Sequence, residues 1–281
     1  MKILWISDYS IKHNKGGAQR SDDILIKKGK EIGHEIQEFH YDSELKVLEE
    51  KYDHVISSNL DAISRLFPAI VNWLGNLENH SRLEHDKNSY LTLEMRKLLF
   101  SKCQNTFFLT EYHHNLFLRM YGNIFRNVSI VSDPIDPDVF FDKKTRREDK
   151  ILTVGFMHYL KGSPNFYEFA LENPNKKFVV AGWGSPMYEH LAKTIPNVEF
   201  LGKLEHEKMP EIYNEYTDFF YHPNIEEPFC RSVGEAALCG MKLAIAEDRI
   251  GAAQEIRKGG LDNFRNSCKE ASNIFWQRIG K

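Results

Sequence analysis

Glu227 and Glu235 stand eight residues apart, in the stretch Glu226-Glu227-Pro228-Phe229-Cys230-Arg231-Ser232-Val233-Gly234-Glu235. A carboxylate is a good acceptor for paired hydroxyls, so two of them can hold two separate sugar rings. The stretch reads as a loop after a strand, carrying Glu227, and then a helix carrying Glu235. That helix starts near Arg231 and Ser232, where backbone N–H groups and the positive dipole end suit a phosphate. A sugar, a diphosphate and a ribose can therefore be held along one short segment.

This segment resembles the Glu-x7-Glu motif of retaining glycosyltransferases of family four, the glycosyl transferases group 1, which have the GT-B fold. The resemblance implies that Glu227 orients the transferred sugar and Glu235 the ribose. Phe229, Cys230, Ser232 and Val233 would line the donor between them. Further upstream, Val154-Gly155-Phe156 through Lys161-Gly162 is similar to a family segment that reads Val-Gly-Arg, with Lys-Gly five residues beyond. Lys161 is then expected to neutralise the donor diphosphate, because a fixed cation stabilises charge developing on the leaving oxygen. Val179-Val180-Ala181-Gly182-Trp183-Gly184 resembles the family strand ending in Gly-x-Gly, which puts Gly155, Gly182 and Gly184 at the donor. Asn197 to Gly202 resembles the next strand, after which the backbone near Lys203 and Leu204 contacts the base.

Phe156 departs from the pattern, since it occupies the place of the family arginine. Arg231 or His158 would supply the missing charge, and Arg231 is well placed beside the helix start. The alternative is a copy that binds its ligand without chemistry.

The first half resembles the family less closely. Gly16-Gly17 ahead of a helix resembles the glycine loop that lies beneath the donor phosphates. In Glu84-His85-Asp86, which ends a strand, His85 resembles the family's cleft histidine. Open α/β sheets put their ligands at such ends, and an imidazole there can donate to a sugar hydroxyl or relay a proton. His113-His114 reads as a helix cap. Asp136-x-Asp138 lies in the interdomain connection and reads as a linker turn, so no required metal is expected. Lys12-His13-Asn14 has a single histidine and reads as a solvated loop.

Parallel strands must position these groups. The candidates are Lys2–Ser7, Glu35–His40, His54–Ser57, Asn79–Glu84, Asn105–Leu109 and Val128–Val131 in the first half. In the second they are Ile151–Gly155, Lys177–Ala181, Val198–Leu201, Asp218–Tyr221 and Lys242–Ala246. Strands alternating with helical stretches, such as Ala18 to Gly33, give an α/β fold with parallel sheets. The expected architecture is GT-B, two Rossmann-like domains whose sheets face each other across a cleft. Residues 1–142 would be the acceptor-side domain and 143–262 the nucleotide-sugar donor domain. Residues 263–281 would form a terminal helix that, in this fold, crosses back to the first domain and could equally cap the second. The prolines of 133–137 and the cluster Lys143-Lys144-Thr145-Arg146-Arg147 read as a solvated linker.

A length of 281 residues suits two domains and makes this a compact variant of the family, short mainly in the acceptor half. With 37 basic and 40 acidic residues, no global field favours nucleic acid or an anionic membrane. Cys103, Cys230, Cys239 and Cys268 are widely spaced, which indicates neither a disulfide framework nor a zinc site. No stretch has the length of a transmembrane helix, and the N-terminus runs straight into a strand, so a cytoplasmic enzyme is expected. The expected reaction is metal-independent, front-face, retaining transfer from a nucleotide-diphosphate sugar, with no other cofactor. The acceptor hydroxyl is open among glycan, lipid, protein, small molecule and modified nucleic acid. Two other functions stay open, a GT-B sugar-nucleotide epimerase and a silent sugar-nucleotide or glycan-binding subunit.

Overall fold

Runs of β-branched and aromatic residues bounded by polar loops form two parallel sheets in the computed structural model, which describes residues 1–85 and 91–279. The chain divides into two units, Met1–Pro134 with Ser267–Lys281, and Ile135–Asn266.

The first unit contains β1 (Lys2–Ile6), β2 (Glu35–Phe39), β3 (His54–Ser57), β4 (His80–Leu83), β5 (Asn105–Phe108) and β6 (Val128–Ile130). Their order is β2-β1-β3-β4-β5-β6, and every pair is parallel. The connections run through α1 (Gly17–Glu31), α2 (Asp61–Leu66), α3 (Ala69–Gly75), α4 (Leu93–Lys102) and α5 (Glu111–Tyr121). Strand order reverses between β1 and β3, the place where open α/β sheets bind ligands beyond their C-terminal ends.

One strand breaks the usual rule. A strand inside a parallel sheet is normally an apolar run, yet β4 reads His80-Ser81-Arg82-Leu83 and all four residues are buried. Cross-strand bonds compensate for the polarity. Ser81 pairs with His54 at 2.8 Å, Ser57 pairs with His80 at 2.7 Å, and Arg82 donates to the Ser58 carbonyl. Burial drives the His54 imidazole down to about 4 and that of His80 to about 3, so both are neutral at pH 7.

The second unit contains β7 (Glu148–Met157), β8 (Phe178–Gly184), β9 (Val198–Gly202), β10 (Tyr216–Tyr221) and β11 (Lys242–Ile245) in the order β11-β10-β7-β8-β9, again parallel. Its helices are α6 (Ser163–Glu172), α7 (Pro186–Thr194), α8 (Met209–Glu215), α9 (Arg231–Leu238) and the first part of α10 (Gly251–Ile279), which belongs to the first unit from Ser267 on. Phe166, Phe178 and Phe220 pack edge to face in its core, each burial contributing about 2–3 kcal/mol. Strand order reverses here between β7 and β10.

The chain kinks within α10 at Gly260, which has φ 79° and ψ 163°. Beyond the kink, Trp276 donates from Nε1 to the Leu25 carbonyl of α1 at 2.8 Å and packs on Trp5. Gly29 makes room for it, since a Cβ there would lie 2.3 Å from the indole. No helix among the described residues is long and apolar enough to cross a membrane.

Lys143 to Arg146 are exposed as expected of a solvated cluster, but the connection holds packed residues on both sides of them. Ile135 and Phe140 are buried in the second unit. Arg147 donates to the carbonyls of Tyr213, Tyr216 and Cys239 and bonds Asp142 and Asn214. Helix and strand ends leave carbonyls unpaired, and a guanidinium with five donors can collect several of them.

Candidate active site

In the second unit the site is built beside the reversal between β7 and β10. After β7, His158 caps a short 3-10 turn, Tyr159–Lys161, by accepting the Leu160 N–H at 3.2 Å. Gly162 then turns with φ 81°, and a Cβ at that position would lie 2.0 Å from the His222 carbonyl oxygen. The turn presents Lys161 beside the end of β10. Its Nζ lies 2.7 Å from Glu227 Oε1.

Glu227 is buried and fixed by its backbone as well as its side chain. Its N–H donates to the Arg249 carbonyl at 2.7 Å, and its own carbonyl accepts from Gly251 at 2.9 Å. Tyr221, the last residue of β10, donates its hydroxyl to the same Oε1 at 2.7 Å. Neither the lysine nor the tyrosine bond uses Oε2. Burial pushes the Tyr221 phenol well above its ordinary range, so it stays a donor.

The loop from Glu227 enters α9 through Cys230, a non-glycine residue at φ 70°. Such a backbone costs on the order of 1 kcal/mol and is kept where the surroundings fix it. The Cys230 thiol is pushed up to about 12 by burial and is no nucleophile near neutrality. Beyond it, the first turn of α9 carries Arg231, Ser232 and Val233, whose N–H groups begin the helix. Phe229 is buried and stacks on Phe264.

Glu235, buried in α9, receives three donors. His206 Nε2 lies 2.8 Å and Arg231 Nε 3.0 Å from Oε1, and the Tyr213 hydroxyl lies 3.2 Å from Oε2. Burial alone would push this carboxyl up, but His206 and Arg231 outweigh it and hold the group below the usual range. The residues named for phosphate and ribose, Arg231 and Glu235, thus bond each other.

The glycines have structural reasons of their own. A Cβ on Gly182 would lie 2.2 Å from the Gly155 carbonyl oxygen, and one on Gly184 2.5 Å from that of Met157. Close approach of β7 and β8 is what demands glycine at 182 and 184. Lys203 follows β9 with its ammonium 4.8 Å from the centre of the Trp183 ring, and Leu204 beside it is half-buried.

The first unit gathers a separate polar cluster beyond its strand ends. His85 follows β4, and its Nε2 lies 2.9 Å from Asp22 Oδ1 on α1. Ser58, just after β3, donates to Asp22 Oδ2 at 2.6 Å. Ser21 donates to Asp133, which follows β6, at 2.5 Å. Asp8, after β1, caps α2 by accepting from Asp61, Ala62 and Ile63. Gly16 is the N-cap of α1, its N–H bonded to Asn14 Oδ1 at 3.2 Å, and Gly17 opens the helix. Asp86, named with His85 in the sequence, lies outside the described residues.

Five of these groups went unread in the sequence. Tyr221 had a usable signal, being the last residue of a strand whose loop carries Glu227. His206 and Tyr213 lie 29 and 22 residues from Glu235, and no local pattern ties them to it. Asp22 and Trp183 are likewise brought in by tertiary structure.

The family described as Glycosyl transferases group 1 matches residues 136–265, which span Lys161, Glu227, Arg231 and Glu235. Over that stretch the chain is similar to this family. Outside it the likeness is carried by the fold. Over 140 residues, 46% of this chain, the sequence is 27% identical to one subunit of the human phosphatidylinositol N-acetylglucosaminyltransferase. The match spans 28% of that protein's length. The structure of Anabaena HepE in complex with UDP-glucose is similar with a TM-score of 0.70 at 16% identity, covering 99% of this chain and 95% of that one. WaaG, a glycosyltransferase involved in lipopolysaccharide biosynthesis, gives 0.64 at 14% identity, covering 100% and 92%. With its two parallel sheets, the chain has the GT-B fold of these structures.

Proposed function

We propose that the chain is a retaining, metal-independent glycosyltransferase that moves a sugar from a nucleotide-diphosphate sugar to an acceptor hydroxyl. The observation that carries this reading is the Lys161–Glu227 pair at 2.7 Å, beside the strand-order reversal of the family-matched unit. A cation and a sugar-holding carboxylate in contact span the bond between sugar and phosphate that must break. Lys161 would pass from Glu227 to the diphosphate as charge develops on the leaving oxygen. The first turn of α9, with Ser232 and Val233, would share that charge. Glu227 would orient the sugar, and Glu235 would take the ribose hydroxyls with Arg231 beside it.

Retention needs the acceptor hydroxyl to arrive on the face the diphosphate leaves, where the departing phosphate takes its proton. No protein nucleophile is then required. His85, oriented by Asp22 through Nε2, would accept at Nδ1 from a hydroxyl and so relay a proton. Metal independence is supported by Asp136, whose carboxylate accepts the Asp138 N–H at 2.9 Å and so serves a turn. None of the four cysteines is in a disulfide, which suits a reducing compartment such as the cytoplasm.

HepE binds UDP-glucose, so UDP-hexoses are the first donors to try, followed by GDP- and ADP-sugars. A specific donor raises the melting temperature by mass action. Slow release of free sugar from the purified protein with EDTA present would support the enzyme, and anomeric analysis of a transferred product would test retention. A second reading, a binding protein without chemistry, is favoured by the exposed Phe156 in the place of the family arginine. Donor-induced stabilisation without turnover for any acceptor class would select it.

A further inference from the structure

Phe156 and Trp183 are register partners at the C-terminal ends of β7 and β8. Their ring centres are 6.1 Å apart with planes at 67°. They are 47% and 38% exposed. Aromatic rings stabilise a fold by leaving water, so packing within the unit does not account for two such rings held at a sheet's ligand-bearing edge. His158 lies against Phe156 with ring centres 5.9 Å apart and planes at 19°. Phe156 also lines the same pocket as Gly155, Lys161 and Gly162. From the other side, the loop after β9 ties the rings to Glu235. Its Lys203 sits over Trp183 and its His206 bonds Glu235. Three peptide steps separate those two residues, about 11 Å at full extension. One short loop thus touches both Trp183 and Glu235, the group proposed to hold the ribose.

We propose that Phe156 and Trp183 form an aromatic corner that stacks the base of a nucleoside diphosphate. This rests on reading the site as the seat of a nucleotide donor. A planar base laid against one ring meets the edge of the other, an arrangement that suits the ring quadrupoles. Lys203 adds a cation beside the stack, matched to an anionic ligand. Phe156 thereby recovers from the base some of the affinity a guanidinium would have drawn from phosphate. Stacking reads the face that all bases share, so uracil, guanine and adenine diphosphates should bind with similar affinity.

Calorimetry of the full chain with UDP, GDP, ADP and pyrophosphate tests the assignment. Phe156→Ala and Trp183→Ala should each weaken nucleoside diphosphate binding by about five- to 150-fold, the scale of one stacked base. Both should leave pyrophosphate affinity within about twofold, and Trp183→Phe should recover most of the loss. Lys161→Ala should weaken pyrophosphate and nucleotides alike. Nucleotide binding that survives in both alanine variants overturns the corner and leaves the donor reading standing. Equal losses for pyrophosphate overturn it too. A wild-type chain that binds no nucleoside diphosphate better than pyrophosphate overturns both.

Discussion

Arg231 and Glu235 are bonded across one turn of α9, Nε to Oε1 at 3.0 Å, with the carboxylate buried. Two residues that the sequence pattern assigns to separate parts of the donor are therefore one electrostatic unit in this structure. Breaking a buried pair by removing one partner is costly, because the other charge is left behind. His206 and Tyr213 also bond Glu235, so its charge is shared among three donors.

Substitutions at this pair should separate charge from geometry. Arg231→Lys keeps the cation but loses the planar fork, and it should retain part of the activity. Arg231→Ala should lose more activity and lower the melting temperature by several degrees. Glu235→Gln should weaken nucleoside diphosphate binding, read by calorimetry, because a carboxylate accepting ribose hydroxyls is replaced by a neutral amide. Unchanged affinity in Glu235→Gln would remove the ribose assignment.

Lys161→Ala should reduce turnover by about 100-fold or more, the scale for losing one electrostatic stabiliser of a leaving group. Glu227→Gln should also depress turnover while sparing the affinity for a nucleoside diphosphate without its sugar. Equal loss of nucleotide affinity in both variants would contradict the division of labour between cation and carboxylate.

Acid should unfold the first unit. His54 and His80 titrate near 4 and 3 when folded, against about 6.5 in an unfolded chain. Below about pH 6.5 the unfolded state takes up protons that the folded state refuses, so stability falls as pH falls. Each histidine contributes on the order of 3 kcal/mol to that loss by pH 4, a large share of a typical domain's stability. Melts at pH 7.5, 6 and 5 should show a falling transition temperature, and His54→Gln should flatten the slope. A transition constant from pH 7.5 to 5 would contradict the burial argument.

The strands of this fold were legible because buried parallel strands are short apolar runs between polar loops. β7, β8 and β10 show this directly. Even β4, with its polar residues, was placed by rhythm, though nothing local revealed that His80, Ser81 and Arg82 are buried and bonded to β3. Glu227 and Glu235 could be picked out because their spacing lies within one loop-helix segment. Lys161 was named from its own segment, but His206 and Tyr213 could not be tied to Glu235, since they reach it from the turn and helix that follow β9. The same limit hid Arg147, which looked like part of a solvated basic cluster until its carbonyl partners were assembled around it.

The Asp22–His85 contact leads to the last prediction. Asp22 Oδ1 lies 2.9 Å from His85 Nε2, and Ser58 holds the other carboxylate oxygen. A carboxylate accepts only, so Nε2 carries the proton and Nδ1 keeps the lone pair in the neutral ring. Asn at position 22 could donate instead, which would reverse the tautomer while nearly preserving shape. If His85 works on the acceptor or the transferred sugar, Asp22→Asn should lower kcat by about tenfold to 100-fold. Binding of a nucleoside diphosphate should be unchanged, because none of its proposed contacts involves Asp22 or His85. His85→Gln should cost about as much, and the double variant little more than either alone, since the two would act as one group. Melting curves of each variant would separate a folding defect from a chemical one. Losses that add in the double variant, or a kcat untouched by Asp22→Asn in a well-folded protein, would reduce the pair to part of the buried polar scaffold.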